Sequence, residues 1–336
     1  LGISTEKVDI ITFGIGSGSW GIALSEVLAY NGYKVYSWHY NDKKSKKLNN
    51  SHIHHHLNYK INSKISFFSD LDLIDSSYPL IIALPSHLIH EVVSKIKDQR
   101  FKLVVSTSKG FVSGDYTISS MLVEKNYIKD TNIVCLTGPS HAEEVVKRQP
   151  TSIVASSKSI TSAQDVQSMF ACDYFRVYTN NDILGSEIGG AVKNVIAIAA
   201  GISIGFGVGD NAVSALLTRG LEEIKRLGVR LGAKRETFSG LSGLGDLIVT
   251  CYSEFSRNRK CGELIAKNYN IDMISSSIGM TIEGIYTCKN LFLLSQKLQV
   301  EMPIISETYK IIYQGKDPLE SIKGLMTREL SSETFN

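Results

Sequence analysis

One change of texture constrains this chain more than any other feature. Up to Asn180, short apolar runs rich in β-branched residues alternate with stretches of helical periodicity; from about Asp182 only helical periodicity remains. The run "VDIITFGI" precedes the amphipathic "SWGIALSEVLAYNG", whose Gly32 reads as a helix stop. "KVYSWHY" is a second strand, and "PLIIALPS" (Pro79–Ser86) and "KLVVSTS" (Lys102–Ser108) are each followed by helix-like sequence. "NIVCLTGPS", "SIVASS" and "FRVYTN" repeat the theme. Strand alternating with helix implies parallel strands joined by crossovers, hence an α/β doubly wound sheet. By contrast "VKNVIAIAAGI", "NAVSALLTRGLEEIKRLGVRLG", "EGIYTCKNLFLLSQKL" and "PIISETYKIIYQG" predict helices only. The expected organisation is a nucleotide-binding α/β domain over 1–182 and an all-helical domain over 183–336, with no long linker between them.

A length of 336 residues accommodates both domains. The net charge of +3 is too small, and the lysines too dispersed, to expect a nucleic-acid partner. The densest basic run, Lys43, Lys44, Lys46 and Lys47, reads as the solvated face of one short helix. Cys135, Cys172, Cys251, Cys261 and Cys288 are scattered and contain no C-x-x-C pair. They form neither a disulfide framework nor a zinc site, so no metal and a reducing, cytoplasmic location are expected. "LGISTEKVD" lacks a basic region followed by an apolar core, so no secretory signal is expected there. The most apolar window, Ala191 to Gly209, carries Lys193 and Asn194. It reads as a helix buried inside protein rather than a bilayer span, so no integral membrane segment is expected.

The first strand runs into glycines in two overlapping registers. One begins at Gly14 and places a serine where the last small residue belongs. The other, Gly16-Ser17-Gly18-Ser19-Trp20-Gly21, fits G-x-G-x-x-G in full. If the strand ends at Ile15, Gly16 makes the tight turn, Gly18 lets backbone approach a pyrophosphate, and Gly21 permits helix–strand packing. The amides at the helix start then favour an anionic phosphate. The second strand ends in His39, Tyr40 and Asn41 before Asp42, so no acid sits at its tip for a ribose 2′-hydroxyl. That leaves room for the 2′-phosphate of NADP as well as for NAD. The run His52, His54, His55 and His56 lies in a polar stretch without cysteine or carboxylate companions and reads as a surface loop.

Chemistry has to be found further along. Lys193 stands in the apolar "GGAVKNVIAIAAG", and lysine is rarely buried without a reason. Either it snorkels from a helix end or it is an acid–base lysine with a depressed pKa. Lys109 follows an apolar strand, at the edge where doubly wound sheets bind ligands. The glycine-rich "GLSGLGDL", read as a turn, delivers Asp246, and Ser256-Arg257-Asn258 follow with hydroxyl, guanidinium and amide groups. That triplet is either a helix cap with a surface arginine or a phosphate site.

Taken in order, "GSGSWGIAL", "ALPSH", "TSKGF", "TGPSHAEEV", "GGAVKNV", "NAVSALLTRGLEEI", "GLSGLGDLIVTC", "SRNRKCG", "EGIYT" and "EMPI" resemble the bacterial-type NAD(P)-dependent glycerol-3-phosphate dehydrogenases along essentially the whole chain. The resemblance implies a Rossmann-like domain followed by an all-helical C-terminal domain of the 6-phosphogluconate dehydrogenase-like kind. It implies reversible reduction of dihydroxyacetone phosphate by NAD(P)H to sn-glycerol 3-phosphate for phospholipid synthesis, and it admits a homodimer. By matching motif, Lys193 would be the proton donor and acceptor. Lys109 would lie where cofactor and substrate meet, its charge lowering the pKa of Lys193. Gly138, Ser140, Asp246, Ser256, Arg257 and Asn258 would complete the substrate site. The resemblance assigns Gly16, Gly18, Ser19, Trp20, Gly21, His39, Tyr40, Ala142, Arg257, Thr281 and Glu283 to the cofactor.

The chain departs from the family where a leucine-proline segment is usual after the second strand; here it reads "HHHLNYKINSKI". Another dehydrogenase of the 3-hydroxyacid or 6-phosphogluconate type would keep the fold and a helix lysine without needing "GLGDL" followed by "SRN". A nucleotide-sensing protein that had lost activity would show decay at Lys193, Lys109, Asp246 or Arg257, and all four are intact.

Overall fold

The computed structural model describes residues 11–97, 99–112, 117–125, 131–330 and 332–333. The "LGISTEKVD" stretch and the start of the first apolar run lie outside them. The first strand, β1 (Ile11–Ile15), passes through the glycine-rich turn into α1 (Ser19–Tyr30). Then come β2 (Lys34–Trp38), α2 (Asp42–Ser51), a small hairpin β3 (Ile53–His54) and β4 (Tyr59–Lys60), and β5 (Ile65–Phe68). Next follow β6 (Leu80–Ile82), α3 (Ser86–Val93), β7 (Leu103–Ser106), α4 (Ile118–Glu124) and β8 (Asn132–Thr137). The α/β part ends with α5 (Ala142–Val145), β9 (Thr151–Ser156), α6 (Ile160–Phe170) and β10 (Phe175–Asn180).

Eight strands form one sheet in the order β10-β9-β8-β7-β6-β1-β2-β5. All pairings are parallel except β8 with β9. The short α5 segment between β8 and β9 returns the chain in the opposite sense, which the crossover argument from the sequence did not foresee. Both faces of the sheet are covered, which is why its strands read as continuous apolar runs. Leu80, Ile82, Val104, Ile133 and Cys135 pack on one side with α3 and α4. Their neighbours Ile81, Val105, Val134 and Leu136 pack on the other with α1 and α6.

Helix α2 opens on Asn41, whose side chain accepts the Lys44 N–H, and Ser45 is its one buried residue, so the lysine run is the solvated face expected. The histidine run departs from its reading as a plain loop. It forms the β3–β4 hairpin, and His54 is buried while His55 and His56 are exposed. Among the described residues no group of histidine, cysteine or carboxylate side chains is placed to hold a metal ion.

The helical half consists of α7 (Ile183–Gly205), α8 (Asp210–Arg230), α9 (Asp246–Tyr252), α10 (Arg257–Ala266), α11 (Ile271–Ile278), α12 (Glu283–Leu298), α13 (Pro303–Gln314) and α14 (Pro318–Met326). Internal contacts divide the chain into Leu1–Ala191 with Gly232–Asp246, and Val192–Leu231 with Leu247–Asn336, so α7 contributes to both units. In the first unit, the Asp182 carboxylate accepts the Gly185 N–H at the start of α7, the Lys234 N–H and the Thr237 hydroxyl. That one side chain caps a helix and fastens the returning 232–246 segment. The glycine-rich segment after it, read as a turn, is instead a wide π-helical turn (Leu241–Gly245) running straight into α9.

In the second unit, Ile198, Ile202, Cys261, Ile265, Ile274 and Ile285 form an apolar cluster. Helices α7 and α10 approach so closely that a Cβ on Gly262 would stand 2.1 Å from the Ile198 carbonyl oxygen. Glu223 is buried, and its carboxylate accepts the N–H groups of Ile304 and Ile305 where α13 begins without a side-chain cap of its own. Burial pushes the Glu223 carboxyl up to about 7, against the pull of those two N–H groups. Among the described residues one helix, α7, is long and apolar enough to cross a membrane, and 83% of its most apolar window is buried inside the protein.

Candidate active site

Because β1, β2, β6, β7 and β8 run parallel, their carboxyl ends lie along one edge of the sheet. After β5 the chain returns to β6 on the other side of β1, so the switch in strand order falls between β1 and β6. The glycine-rich turn sits at that switch, where open α/β sheets bind their ligands. Strand β1 ends at Ile15, so the register beginning at Gly16 is the one used and Gly14 belongs to the strand. Gly16 adopts φ +116°, and a Cβ there would stand 2.3 Å from the Ala83 carbonyl oxygen. A Cβ on Gly21 would stand 1.8 Å from the Gly16 carbonyl oxygen, while Gly18 faces open space.

This turn fits a dinucleotide pyrophosphate. Gly18 leaves backbone accessible at the start of α1, which has no side-chain cap. In the turn and at the start of α1, Ser17 Oγ and Trp20 Nε1 are buried polar atoms with no hydrogen-bond partner among the described residues. At the tip of β2, His39 stacks on exposed Tyr40 with ring centroids 4.8 Å apart, and its Nδ1 accepts the Asn41 N–H. Burial and then the nearby Lys44 charge lower the His39 pKa, which keeps the ring neutral. Asp42 is already engaged by the Ser69 hydroxyl and the Lys46 ammonium, so its carboxylate is committed to the protein.

A second group gathers beyond β7 and β8. Lys109 Nζ lies 2.7 Å from Asp246 Oδ2 and 3.0 Å from the Gly138 carbonyl oxygen. Ser140 Oγ donates to the same carbonyl. Gly138 has φ +147°, and a Cβ there would press on Ile153, so only glycine suits the position. Gly190 on α7 lies against the Lys109 stem, and a Cβ there would stand 3.0 Å from Thr137 Oγ1 and in ordinary contact with Lys109 Cγ. Ala142 opens α5 and is buried. The structure therefore brings together Lys109, Gly138, Ser140 and Asp246 from three separate stretches of sequence.

The helical unit holds the rest. Lys193 is 5% exposed, and its Nζ donates to Thr250 Oγ1 at 2.7 Å. A snorkelling lysine would reach solvent, so burial rejects that reading. The Asn258 amide donates to Asn194 Oδ1 and accepts the Gly284 N–H, which locks its orientation. Ser256 is the N-cap of α10, accepting the Arg259 N–H. The cap reading and a ligand role coexist here, since the hydroxyl proton is not used by the cap. Arg257 is exposed, and its guanidinium donates to the Thr281 carbonyl, which pairs two of the residues the resemblance assigned to the cofactor. Glu283 begins α12, two residues further on.

Two polar partners were not assigned from the sequence. Thr250 stands in the apolar "DLIVTC" and Asn194 directly follows Lys193. Each is a polar residue on a buried helix, and that was the available signal.

A glycine turn at the switch point of a doubly wound sheet, followed by a helical unit with a buried lysine, defines a dinucleotide-dependent oxidoreductase. Models of the NAD-dependent glycerol-3-phosphate dehydrogenase N-terminus and C-terminus match residues 11–163 and 182–323. A glycerol-3-phosphate dehydrogenase (NAD(P)+) of Clostridium botulinum (strain Eklund 17B / Type B) is 43% identical over 96% of this chain and 98% of its own. The like-named protein of Staphylococcus aureus (strain USA300 / TCH1516) is 42% identical over 95% and 98%. The crystal structure of glycerol-3-phosphate dehydrogenase from Coxiella burnetii superposes with a TM-score of 0.91 at 32% identity, over 95% of this chain and 99% of that one. The chain belongs to the NAD-dependent glycerol-3-phosphate dehydrogenase family.

Proposed function

We propose that this protein catalyses the reversible, NAD(P)H-dependent reduction of dihydroxyacetone phosphate to sn-glycerol 3-phosphate, feeding phospholipid synthesis. The observation that carries the reading is Lys193, an amine buried in an apolar helix and aimed by the Thr250 hydroxyl.

Gly16, Gly18, Ser19, Trp20 and Gly21 hold the pyrophosphate, and His39 and Tyr40 flank the adenosine end. Ala142, Arg257, Thr281 and Glu283 make the remaining cofactor contacts. The bound nicotinamide supplies, and in reverse accepts, the hydride exchanged at C2 of the substrate. Lys193 gives a proton to the oxygen that becomes the C2 hydroxyl and takes it back in the oxidative direction. Arg257, with Asn258 and Ser256, binds the phosphate ester through charge-assisted hydrogen bonds. Lys109, Gly138, Ser140 and Asp246 orient the three-carbon chain, and the Asp246 carboxylate offsets the Lys109 charge.

The five cysteines are free thiols, which supports a reducing, cytoplasmic setting. The homodimer rests on the resemblance and is tested by sedimentation. The decisive assay follows oxidation of NADPH and of NADH in parallel with dihydroxyacetone phosphate. Absence of turnover with both would sink the assignment.

A further inference from the structure

Asp182 has no part in the function above, yet it is an acidic residue only 6% exposed. It stands between β10 and α7, and its own N–H donates to the Asn180 side chain at 2.8 Å. Its two carboxylate oxygens serve different elements of the first unit. Oδ1 accepts the Gly185 N–H at 3.0 Å, which is all that capping α7 requires. Oδ2 is spent on the returning segment, accepting the Lys234 N–H at 2.9 Å and the Thr237 hydroxyl at 2.7 Å. Hydrogen bonds to a carboxylate are roughly twice as strong as those between neutral groups, so the joint is stiff.

From Thr237 an unbroken run of hydrogen bonds leads to the Lys109 group. The Thr237 carbonyl accepts the Gly240 N–H at 3.2 Å, and the Gly240 carbonyl accepts the Gly245 N–H at 3.1 Å. That second bond spans five residues, which makes the Leu241–Gly245 turn one residue wider than a turn of α-helix. Gly245 is followed directly by Asp246, whose carboxylate meets the Lys109 ammonium at 2.7 Å. The turn also rests on its surroundings. A Cβ on Gly189 of α7 would stand 2.5 Å from the Ser242 carbonyl oxygen, and one on Gly245 would touch the Pro139 ring at 3.6 Å. Pro139 follows Gly138, whose carbonyl accepts from the same ammonium.

A turn with one extra residue changes the angle at which the next residue leaves it. Where that turn is anchored therefore decides where the Asp246 carboxylate points. An error of about 1 Å in a group that orients substrate can cost ~10²-fold in rate.

We propose that Asp182 is a positioning residue for the substrate site: by gripping Lys234 and Thr237 it sets the wide turn, and with it the direction from which Asp246 meets Lys109. The inference rests on the reading of Asp246 and Lys109 as substrate-orienting residues.

The test uses the full chain, with kcat and KM for dihydroxyacetone phosphate from steady-state assay and Kd for NADPH from fluorescence titration. Each variant is assayed well below its thermal midpoint, so that lost stability alone does not move these values. Asp182→Asn keeps the shape, but whichever way its amide turns, an NH2 group faces N–H donors on one side. Its kcat/KM is expected to fall about ten- to a hundredfold, while Kd for NADPH stays within about twofold of wild type. Thr237→Val, of nearly equal volume but without the hydroxyl, should show the same split at about three- to tenfold, the scale of one hydrogen bond. Thr237→Ser, which keeps the hydroxyl, should behave as wild type. If Asp182→Asn does not fold, Thr237→Val with its serine control decides the matter. Wild-type kcat/KM in the folded variant would overturn the inference, as would a parallel loss of NADPH affinity, the mark of a generally loosened fold. If the wild-type chain itself does not reduce dihydroxyacetone phosphate, the reading of the site fails and takes this inference with it.

Discussion

Lys109 Nζ stands 2.7 Å from Asp246 Oδ2, an ion pair closed across 137 residues of sequence. The carboxylate is 1% exposed and the lysine side chain 18%, so the two charges depend on each other. Removing one partner of a fully buried pair costs about 3–5 kcal/mol, whereas replacing both by apolar groups is often neutral. Lys109→Met is therefore expected to lower the thermal midpoint and abolish turnover. Lys109→Met with Asp246→Leu should regain most of the stability while remaining inactive. Calorimetry on both variants checks this; a double variant no more stable than the single one would show the charges to be uncoupled.

Lys193→Ala removes the proposed proton donor. NADPH binding is expected to persist while turnover falls by at least ~10²-fold, the contribution of a positioned acid–base group. Near wild-type turnover would take Lys193 out of that role.

Arg257 is exposed, so its removal should disturb recognition more than folding. Arg257→Ala should raise the KM for dihydroxyacetone phosphate about ten- to a hundredfold, matching about 1.5–3 kcal/mol for a hydrogen bond to a charged group. An unchanged KM would place the phosphate elsewhere.

Glu223 links stability to pH. Its pKa rises on folding from 4.5 to about 7, so the folded state holds a proton that the unfolded chain releases. The stability it contributes is complete below about pH 4.5 and is lost as the pH climbs through about 7. Glu223→Gln has no such titration. The difference in thermal midpoint, variant minus wild type, should become more positive across that window and level off above it. A difference that does not change with pH would mean that Glu223 is ionised throughout.

Much of this was legible in the chain. Periodicity is local, so the alternation up to Asn180 and the helical texture after it are written in windows of a few residues. The glycine register depended only on where β1 ends, and the order of motifs carried the family. What no window contains is which residues meet. The short return after β8 that makes β9 antiparallel, the wide turn at Leu241–Gly245 and the partnership of Lys193 with Thr250 all depend on how distant segments pack. The sequence determined that His54 would lie in a polar, turn-forming stretch, with every expectation of exposure. Only the tertiary structure folded that stretch back onto α1, where Asn62 and Tyr59 bring donors to the buried Glu26 carboxylate and His54 is buried with its Nδ1 accepting the Leu57 N–H, because a buried carboxylate left without donors costs more than ordering the hairpin.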